Sequence, residues 1–275
     1  MIEAPLLSTC ARLHEPGRVT SLIGWAIRKR VLRGALRHLA ERALSGIGFD
    51  IEIEGVKLRC YLGDNATERD IFVRGLHAPK VGLMRVMESI KPGDVFVDVG
   101  ANSGIFTSFA AKRVGPTGRV VAIEPMPAML ERLRFNVAAN SFANVAIFAT
   151  AVGEETGFAT LYIHPNNRGQ SGMIPLSPGS MPIQVPVSTL ASVVTSAELD
   201  RIDALKIDIE GFEDRALSPF MANMPRSLWP RRIFMEIVHR PRWRRDCIAF
   251  LRDAGYSQIW QQSNDIALEK RPAES

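Results

Sequence analysis

The chain has 275 residues, of which 46% are hydrophobic, and a formal net charge of +5. This length and composition allow one large core and indicate no division into two full domains. The three cysteines, Cys10, Cys60 and Cys247, form no Cys-x-x-Cys pair, so neither a zinc site nor an iron–sulfur cluster is expected. The sequence has no run of about 18 apolar residues and begins without a signal-peptide pattern, and we therefore expect a cytoplasmic location.

Residues 20–44 carry apolar side chains close to helical spacing, with arginines largely between them. The pattern predicts a basic amphipathic helix that is broken near Gly34. Two interpretations stay open: a helix lying on an anionic membrane surface, or a lid that packs its apolar stripe on the domain and leaves its arginines in water. We favour the lid, because amphipathicity is normal for surface helices. Next, alternating apolar residues over 49–61 predict a β-hairpin around Glu54-Gly55.

The central feature of the sequence is an apolar run, Val95 to Val99, followed by a glycine turn. The run is short and β-branched, which is typical of a parallel strand covered on both faces. Gly100 and Gly104 bracket the turn into a predicted helix, where missing side chains let a ligand approach the backbone and free N–H groups can hold an anion. Glu124 ends the next strand, where an acid can accept hydrogen bonds from ribose hydroxyls. The pattern predicts an adenosine compound with an anionic end as the ligand.

The remaining chain alternates helices and strands. The predicted helices cover 79–90, 103–113 and 127–140, and the predicted strands cover 120–124, 145–148, 159–163, 183–187, 204–208, 233–238, 257–261 and 266–269. This order predicts a doubly wound, mostly parallel, seven-stranded α/β sheet. Ligands of such sheets bind beyond the carboxyl ends of the strands, so Gly100, Glu124, Ala151, Asp208 and Glu236 are expected at one edge. The polar segment 157–187 is expected to be functional or mobile.

A second motif combines three acids and a glycine at the end of the fourth core strand. It reads Lys206-Ile207-Asp208-Ile209-Glu210-Gly211-Phe212-Glu213. The first motif reads Asp98-Val99-Gly100-Ala101-Asn102-Ser103-Gly104, and it has Asn102 where the dinucleotide fingerprint has its second glycine. Together the two motifs resemble the FkbM family of methyltransferases, and the resemblance extends from about Lys91 to His239.

The resemblance implies a Rossmann-like class I methyltransferase that uses S-adenosyl-L-methionine to methylate a hydroxyl on a sugar, glycan or polyketide-like natural product. Residues 1–75 are then an N-terminal helical and β-hairpin extension or lid, and residues 76–275 are the methyltransferase domain. By the same resemblance, the methionine part of the cofactor is surrounded by Asp98, Gly100, Ala101, Asn102 and Gly104, the ribose by Glu124, and the adenine by Pro125, Met126 and Ala151.

The candidate catalytic residues are Asp208, Glu210 and His239. Asp208 or Glu210 is expected to remove the hydroxyl proton as the oxygen attacks the methyl group, and His239 is the best-placed histidine for a general base. Glu213 lies where a carboxylate favours a helix N-terminus, so capping explains it better than catalysis. Asp208, Glu210 and Glu236 together form a set of oxygen ligands suited to Mg²⁺, although we expect no metal.

Two other kinds of protein are compatible with these motifs. A nicotinamide-dependent Rossmann oxidoreductase shares the fold, and a non-catalytic cofactor-binding protein could dock on an anionic membrane through the basic N-terminal helix. Nucleic acid is not expected as a partner, because aromatic residues are sparse in the basic segments. The expected partner is a small-molecule or glycan hydroxyl acceptor.

Overall fold

The computed structural model describes residues 18–32, 34–44, 46–77 and 82–271 of the chain. Its helices are α1 (Arg18–Arg28), α2 (Gly34–Ala43), α3 (Ala66–Arg74), α4 (Gly82–Ser89), α5 (Ile105–Val114), α6 (Pro127–Ala139), α7 (Leu190–Ser196), α8 (Glu213–Asn223) and α9 (Cys247–Asp253). Its strands are β1 (Gly48–Ile53), β2 (Val56–Tyr61), β3 (Val95–Val99), β4 (Arg119–Ile123), β5 (Val145–Phe148), β6 (Ala151–Val152), β7 (Gly157–Ile163), β8 (Met181–Ser188), β9 (Ala204–Ile207), β10 (Arg232–Glu236), β11 (Tyr256–Gln262) and β12 (Asp265–Lys270).

A seven-stranded sheet forms the centre of the fold, in the order β11-β12-β10-β9-β3-β4-β5. Neighbours from β10 to β5 run parallel, whereas β12 is antiparallel to both β10 and β11. All residues of β3 are buried, as its apolar, β-branched sequence predicts. The doubly wound, mostly parallel α/β fold expected from the sequence is confirmed, and the strands of this sheet begin and end within two residues of their predicted bounds.

Helices cover both faces of the central sheet. One face packs against α7, α8 and α9 in a cluster that includes Leu190, Leu217 and Leu251. The other face packs against α4, α5 and α6 in a cluster that includes Val86 and Leu133. Because the parallel strands all end at the same edge, the loops that follow β3, β4, β9 and β10 meet there.

The N-terminal elements share a core with the sheet domain. The predicted helix is broken into α1 and α2, as expected near Gly34, and β1 and β2 form the expected hairpin around Glu54-Gly55. Their apolar residues belong to one cluster with Ile105 and Phe109 of α5. The extension is therefore packed directly on the helix that follows the glycine turn.

Asn136 of α6 and Asn140, which ends that helix, bind the backbone of β2. Asn136 Oδ1 accepts from the N–H of Arg59 at 2.7 Å, and Asn140 Oδ1 accepts from the N–H of Lys57 at 2.8 Å. Asn140 also donates to the Lys57 oxygen, so its amide pairs with β2 as a neighbouring strand would. These bonds fasten the hairpin to the sheet domain.

Further elements follow the sequence predictions around α3, α4 and the polar segment 157–187. The turn predicted at Asp64-Asn65 is present over residues 62–64. Asn65 then caps α3, because its side chain accepts hydrogen bonds from the N–H groups of the first helical turn. The helix predicted over 79–90 is α4, and residues 78–81 lie outside the described residues. The strands predicted in the polar segment 157–187 are β7 and β8, which join β6 in a second sheet.

Candidate active site

A cleft opens at the edge of the sheet where the parallel strands end. The space within it, open mouth included, measures about 1270 Å³. The predicted site residues that line it are Gly100, Ala101, Asn102, Glu124, Pro125, Met126, Ala151, Asp208 and Glu210. Asp98, Gly104 and His239 do not line it.

The turn after β3 is held from both sides. Gly100 has a φ of +77°, and a Cβ atom on it would lie 2.0 Å from the backbone oxygen of Asp208, so only glycine fits. The N–H groups of Gly100 and Ala101 both donate to the Ile123 oxygen at 3.0 Å. Lys206 Nζ donates to the Gly100 oxygen at 2.7 Å. The turn is thus fixed against β4 and β9 in one conformation.

Glu124 follows β4 and is buried, with 6% of its surface exposed. Its Oε2 accepts from the N–H of Asn102 at 2.8 Å, and its Oε1 accepts from the N–H of Met126 at 2.9 Å. Burial raises the pKa of Glu124 to about 7, although the two backbone hydrogen bonds act in the opposite direction. Each carboxylate oxygen has a second lone pair, so Glu124 is able to accept from two ligand hydroxyls as well.

Asn102 occupies its position in the turn with a left-handed backbone, at a φ of 54°, which asparagine tolerates better than most residues. Its Oδ1 accepts from the N–H of Ser103 at 2.8 Å and from Asn65 Nδ2 at 2.7 Å. Asn65 thereby ties the start of α3 to the rim of the cleft. From the sequence, Asn65 could be recognised only as a residue type that is frequent at helix N-termini, because its partner Asn102 lies far along the chain.

Asp98 supports the turn from behind. It is fully buried, its Oδ2 accepts from Thr107 Oγ1 at 2.7 Å, and its Oδ1 lies 3.4 Å from Lys206 Nζ. Asp98 does not line the cleft, since its carboxylate faces α5 and the lysine, and its direct contact with the cofactor stays a prediction. Lys206 is a site residue that the sequence motif did not single out, although a lysine within a buried strand is a signal for a paired charge.

Gly104 also lies behind the cleft. Its φ is +82°, and a Cβ atom on it would lie 2.5 Å from Leu133 Cδ1. The glycine therefore lets α5 pack closely on α6. Gly104 does not line the cleft, and its contact with the cofactor stays a prediction. Both glycines of the motif are required by the fold, but only Gly100 faces the ligand cleft.

Asp208 and Glu210 follow β9 and line the same cleft as Glu124. Asp208 Oδ1 is buried and accepts no hydrogen bond within the part of the chain that the structure describes. Glu210 Oε2 lies 2.7 Å from His239 Nε2, and this contact raises the pKa of His239. His239 does not line the cleft and contacts Glu210, so its role as a general base stays a prediction.

Glu213 holds the turn that carries these acids. Its Oε1 accepts from the N–H groups of Ile209 at 3.0 Å and Gly211 at 3.2 Å, and its Oε2 accepts from Trp243 Nε1 at 2.7 Å. Burial raises its pKa. This arrangement supports the structural explanation expected for Glu213, because its oxygens serve the turn and a distant tryptophan.

Glu210, Glu236 and His239 also satisfy a simple geometric condition for a metal site. One ligand atom from each lies within 4.8 Å of the others. This set contains His239 in place of the Asp208 considered from the sequence. A carboxylate and imidazole donor set suits Mn²⁺ or Zn²⁺ as well as Mg²⁺, so metal removal is a direct test of its use.

The loop over residues 164–172 lies against the cleft. The N–H of Arg168 donates to the Asp64 oxygen at 2.7 Å, and its Nε lies 2.9 Å from Asp64 Oδ2. A Cβ atom on Gly172 would lie 2.9 Å from Glu210 Cβ, so this end of the loop approaches the acids closely. The loop connects the N-terminal region to the acid end of the cleft.

Comparison with known proteins identifies related methyltransferases. A family model described as the methyltransferase FkbM domain matches residues 98–257. The 31-O-demethyl-FK506 methyltransferase FkbM of Streptomyces tacrolimicus is 27% identical over 229 residues, which cover 72% of this chain and 85% of that protein. The methyltransferase sdnD of Sordaria araneosa is 27% identical over 147 residues, which cover 42% of this chain and 56% of that protein.

Among solved structures, the chain is similar to an S-adenosylmethionine-dependent O-methyltransferase of Thermotoga maritima. The TM-score is 0.43 at 14% sequence identity, and the superposition covers 72% of this chain and 67% of the other.

Proposed function

The chain belongs to the FkbM family of S-adenosyl-L-methionine-dependent methyltransferases, and on that basis we propose that it methylates a hydroxyl oxygen of a sugar, glycan or polyketide-like natural product. Membership in this family also sets aside the nicotinamide-dependent oxidoreductase considered from the sequence. The acceptor class and the roles of individual residues are our proposal, argued below from the cleft.

The cleft has the chemical features that the cofactor needs. When bound, S-adenosyl-L-methionine supplies a methyl group on a positively charged sulfur. We assign its ribose to Glu124, its methionine part to Gly100, Ala101 and Asn102, and its adenine to Pro125, Met126 and Ala151. The spare lone pairs of Glu124 support this fit, because its two oxygens each accept only one hydrogen bond from the protein and buried polar atoms are normally hydrogen-bonded. In this assignment Asp98 and Gly104 act indirectly, by positioning the turn.

The observation that carries the proposed reaction is the placement of Asp208 and Glu210 in the cleft that contains Glu124. We assign Asp208 as the base that would accept the hydroxyl proton. The acceptor oxygen would bond to the methyl carbon as the bond from that carbon to sulfur breaks, and S-adenosylhomocysteine would leave as a neutral thioether. Glu210 orients that hydroxyl, and His239 positions Glu210 through the 2.7 Å contact. A positioned base contributes about 10²–10⁴-fold, whereas alignment of two reactants supplies effective molarities of about 10⁵–10⁸ M.

An oxygen acceptor is supported by a relative as well as by the acids. The Streptomyces tacrolimicus protein is named for methylating 31-O-demethyl-FK506. A carboxylate base suits a hydroxyl acceptor, since the proton must leave oxygen as the new bond forms. The basic residues of this chain that face the cleft, Lys206 and Arg168, contact Asp98 and Asp64 respectively and so do not replace the acids in this role.

The linkage of the transferred methyl group tests this proposal. We would incubate the protein with methyl-labelled S-adenosyl-L-methionine and two probes, a methyl hexoside and a macrolactone with a free secondary hydroxyl, and treat the products with alkali. Label that stays bound through alkali and is identified as a methyl ether by mass spectrometry supports the proposal. Label released as methanol indicates a carboxyl acceptor, and label on nitrogen indicates an amine; either contradicts it.

A further inference from the structure

The surface of α1, α2 and their connection exposes large apolar side chains. Leu22, Trp25, Val31, Leu36 and Leu39 are 68%, 56%, 61%, 66% and 64% exposed, and we call them the N-terminal apolar face. They make up five of the ten exposed large hydrophobic residues among the described residues, within a stretch of fewer than twenty positions. Single exposed apolar residues are ordinary, but a concentration of this kind marks an interaction site.

These side chains are not the ones that attach the helices to the domain. Ile27 of α1 is completely buried and Leu44 after α2 is 3% exposed, and both belong to the cluster around Phe49. Leu22 and Trp25 are three positions apart, as are Leu36 and Leu39, so each pair shares one side of its helix. A lid that packs on the domain accounts for the buried stripe and leaves the N-terminal apolar face unexplained.

The charged side chains around this face are basic. Residues 18–44 contain seven arginines and lysines and one acid, Glu41. Glu41 is 3% exposed and lies 3.8 Å from Arg69 of α3, so it contributes no negative charge to the outer surface. Arg28, Lys29, Arg30 and Arg42 are all exposed. The outer surface of the two helices therefore combines apolar and basic groups.

We propose that the N-terminal apolar face docks on an anionic lipid bilayer. Exposed leucine, valine and tryptophan can enter the headgroup and acyl boundary while the neighbouring basic groups contact anionic headgroups. Nucleic acid would supply the negative charge but no apolar surface for aliphatic side chains, which do not stack on bases as aromatic ones do. None of the helices within the described ranges has the length and hydrophobicity of a membrane span.

Vesicle flotation of the full-length protein tests this proposal. Vesicles of phosphatidylcholine alone would be compared with vesicles that contain phosphatidylglycerol as well, at low and high salt. We expect the protein to float with the anionic vesicles and to be recovered mostly unbound with the neutral ones. High salt is expected to weaken the binding several-fold, because screening reduces surface attraction.

Matched variants distinguish docking through the N-terminal apolar face from nonspecific adsorption of exposed apolar side chains. The triple variant Trp25→Ser, Leu36→Ser, Leu39→Ser is expected to lose at least tenfold in vesicle affinity. Its control is Phe158→Ser with Met181→Ser, which removes apolar groups that are 80% and 65% exposed on β7 and β8 and is expected to bind like the wild type. Thermal unfolding would verify that both variants are folded.

Three outcomes would overturn the proposal. One is failure of the wild-type protein to float with anionic vesicles. Another is equal loss of binding in the triple variant and its control. The third is a dimer, detected by light scattering, that the triple variant abolishes while vesicle binding is absent; a second copy of the chain would then be the occupant of the face.

Discussion

The cleft has a glycine-turn end, with Gly100 and Glu124, and an acid end, with Asp208 and Glu210. The two ends differ in how many hydrogen bonds the protein itself donates to their side-chain oxygens. At the glycine-turn end, Glu124 and Asn102 each accept two hydrogen bonds from the protein. At the acid end, Asp208 Oδ1 accepts none from the described residues, and Glu210 depends on His239. A site that binds a cofactor gains from a fixed shape, whereas groups that take a proton must have lone pairs available to the substrate. We therefore expect the glycine-turn end to bind the cofactor and the acid end to accept the proton.

The largest effect is expected from removing the fixed shape of the turn. In Gly100→Ala, the new Cβ would overlap the Asp208 oxygen, and we expect S-adenosylhomocysteine affinity to fall by more than about 100-fold, since a strained backbone alone costs about 1–3 kcal/mol. The control is Gly115→Ala, which also has a positive φ but no atom within 4 Å of its Cβ, and should keep wild-type affinity. Calorimetry measures both; wild-type affinity in Gly100→Ala would refute the rigid-turn account.

At the acid end, substitution of Asp208 should leave the affinity for S-adenosylhomocysteine nearly unchanged. We expect Asp208→Asn to slow turnover by about 10²–10⁴-fold, because the amide cannot accept the hydroxyl proton. Its affinity for S-adenosylhomocysteine should stay within about threefold of the wild type. Single-turnover kinetics together with calorimetry separate the two effects. If turnover is normal, Asp208 is not the base.

Ionisation of Glu124 should make ligand binding at the glycine-turn end depend on pH. The folded pKa of about 7 means that the carboxylate ionises between pH 6 and pH 8, and the ionised form is the better acceptor for ribose hydroxyls. S-adenosylhomocysteine affinity should thus increase over that range in the wild type. Glu124→Gln should bind about 10–100-fold more weakly at pH 8 and lose this pH dependence, since hydrogen bonds to charged groups contribute about 1.5–3 kcal/mol. A variant that keeps the wild-type pH profile would exclude Glu124 as its source.

A smaller effect is expected from the contact between His239 and Glu210. This contact raises the folded pKa of His239, so its contribution to stability is complete below the unfolded pKa and is lost as pH rises through the folded value. His239→Gln should therefore lower the unfolding temperature more at pH 6 than at pH 9. In a Glu210→Gln background the same substitution should show little of this pH dependence. A loss that is equal at both pH values would mean that the pair carries no such charge coupling.

No effect is expected from chelation. Glu210 and His239 contact each other at 2.7 Å, and our assignment of Asp208 as base requires no cation. Turnover after dialysis against EDTA should equal that before it. Loss of turnover that Mn²⁺ or Mg²⁺ restores would instead make Glu210, Glu236 and His239 a metal site.

Local sequence was informative where function is concentrated in a short stretch. The strand, turn and acid from Val95 to Glu124 follow one another, so the parallel strands and several of the cleft-lining residues at that end could be predicted. Asp98 and Gly104 belong to the same motif, but the packing of α5 on α6 and the position of Lys206 direct them away from the cleft. That packing depends on contacts between distant parts of the chain.

The acid end depended more on such distant contacts. Arg168, in the loop that approaches the acids, contacts Asp64 across a long stretch of sequence, so this pair has no local pattern. His239 was recognised as a nearby histidine, but its role as a partner of Glu210 follows from the turn that Glu213 holds. Residue type alone does not distinguish a group that faces a substrate from one that stands behind it.

The most direct test of a preformed cofactor end is calorimetric titration of the wild type with S-adenosylhomocysteine in the absence of any acceptor. We predict saturable binding with one site per chain, abolished in Glu124→Ala. Failure of the folded wild type to bind without an acceptor would contradict the claim that the glycine turn and Glu124 are already arranged for the cofactor.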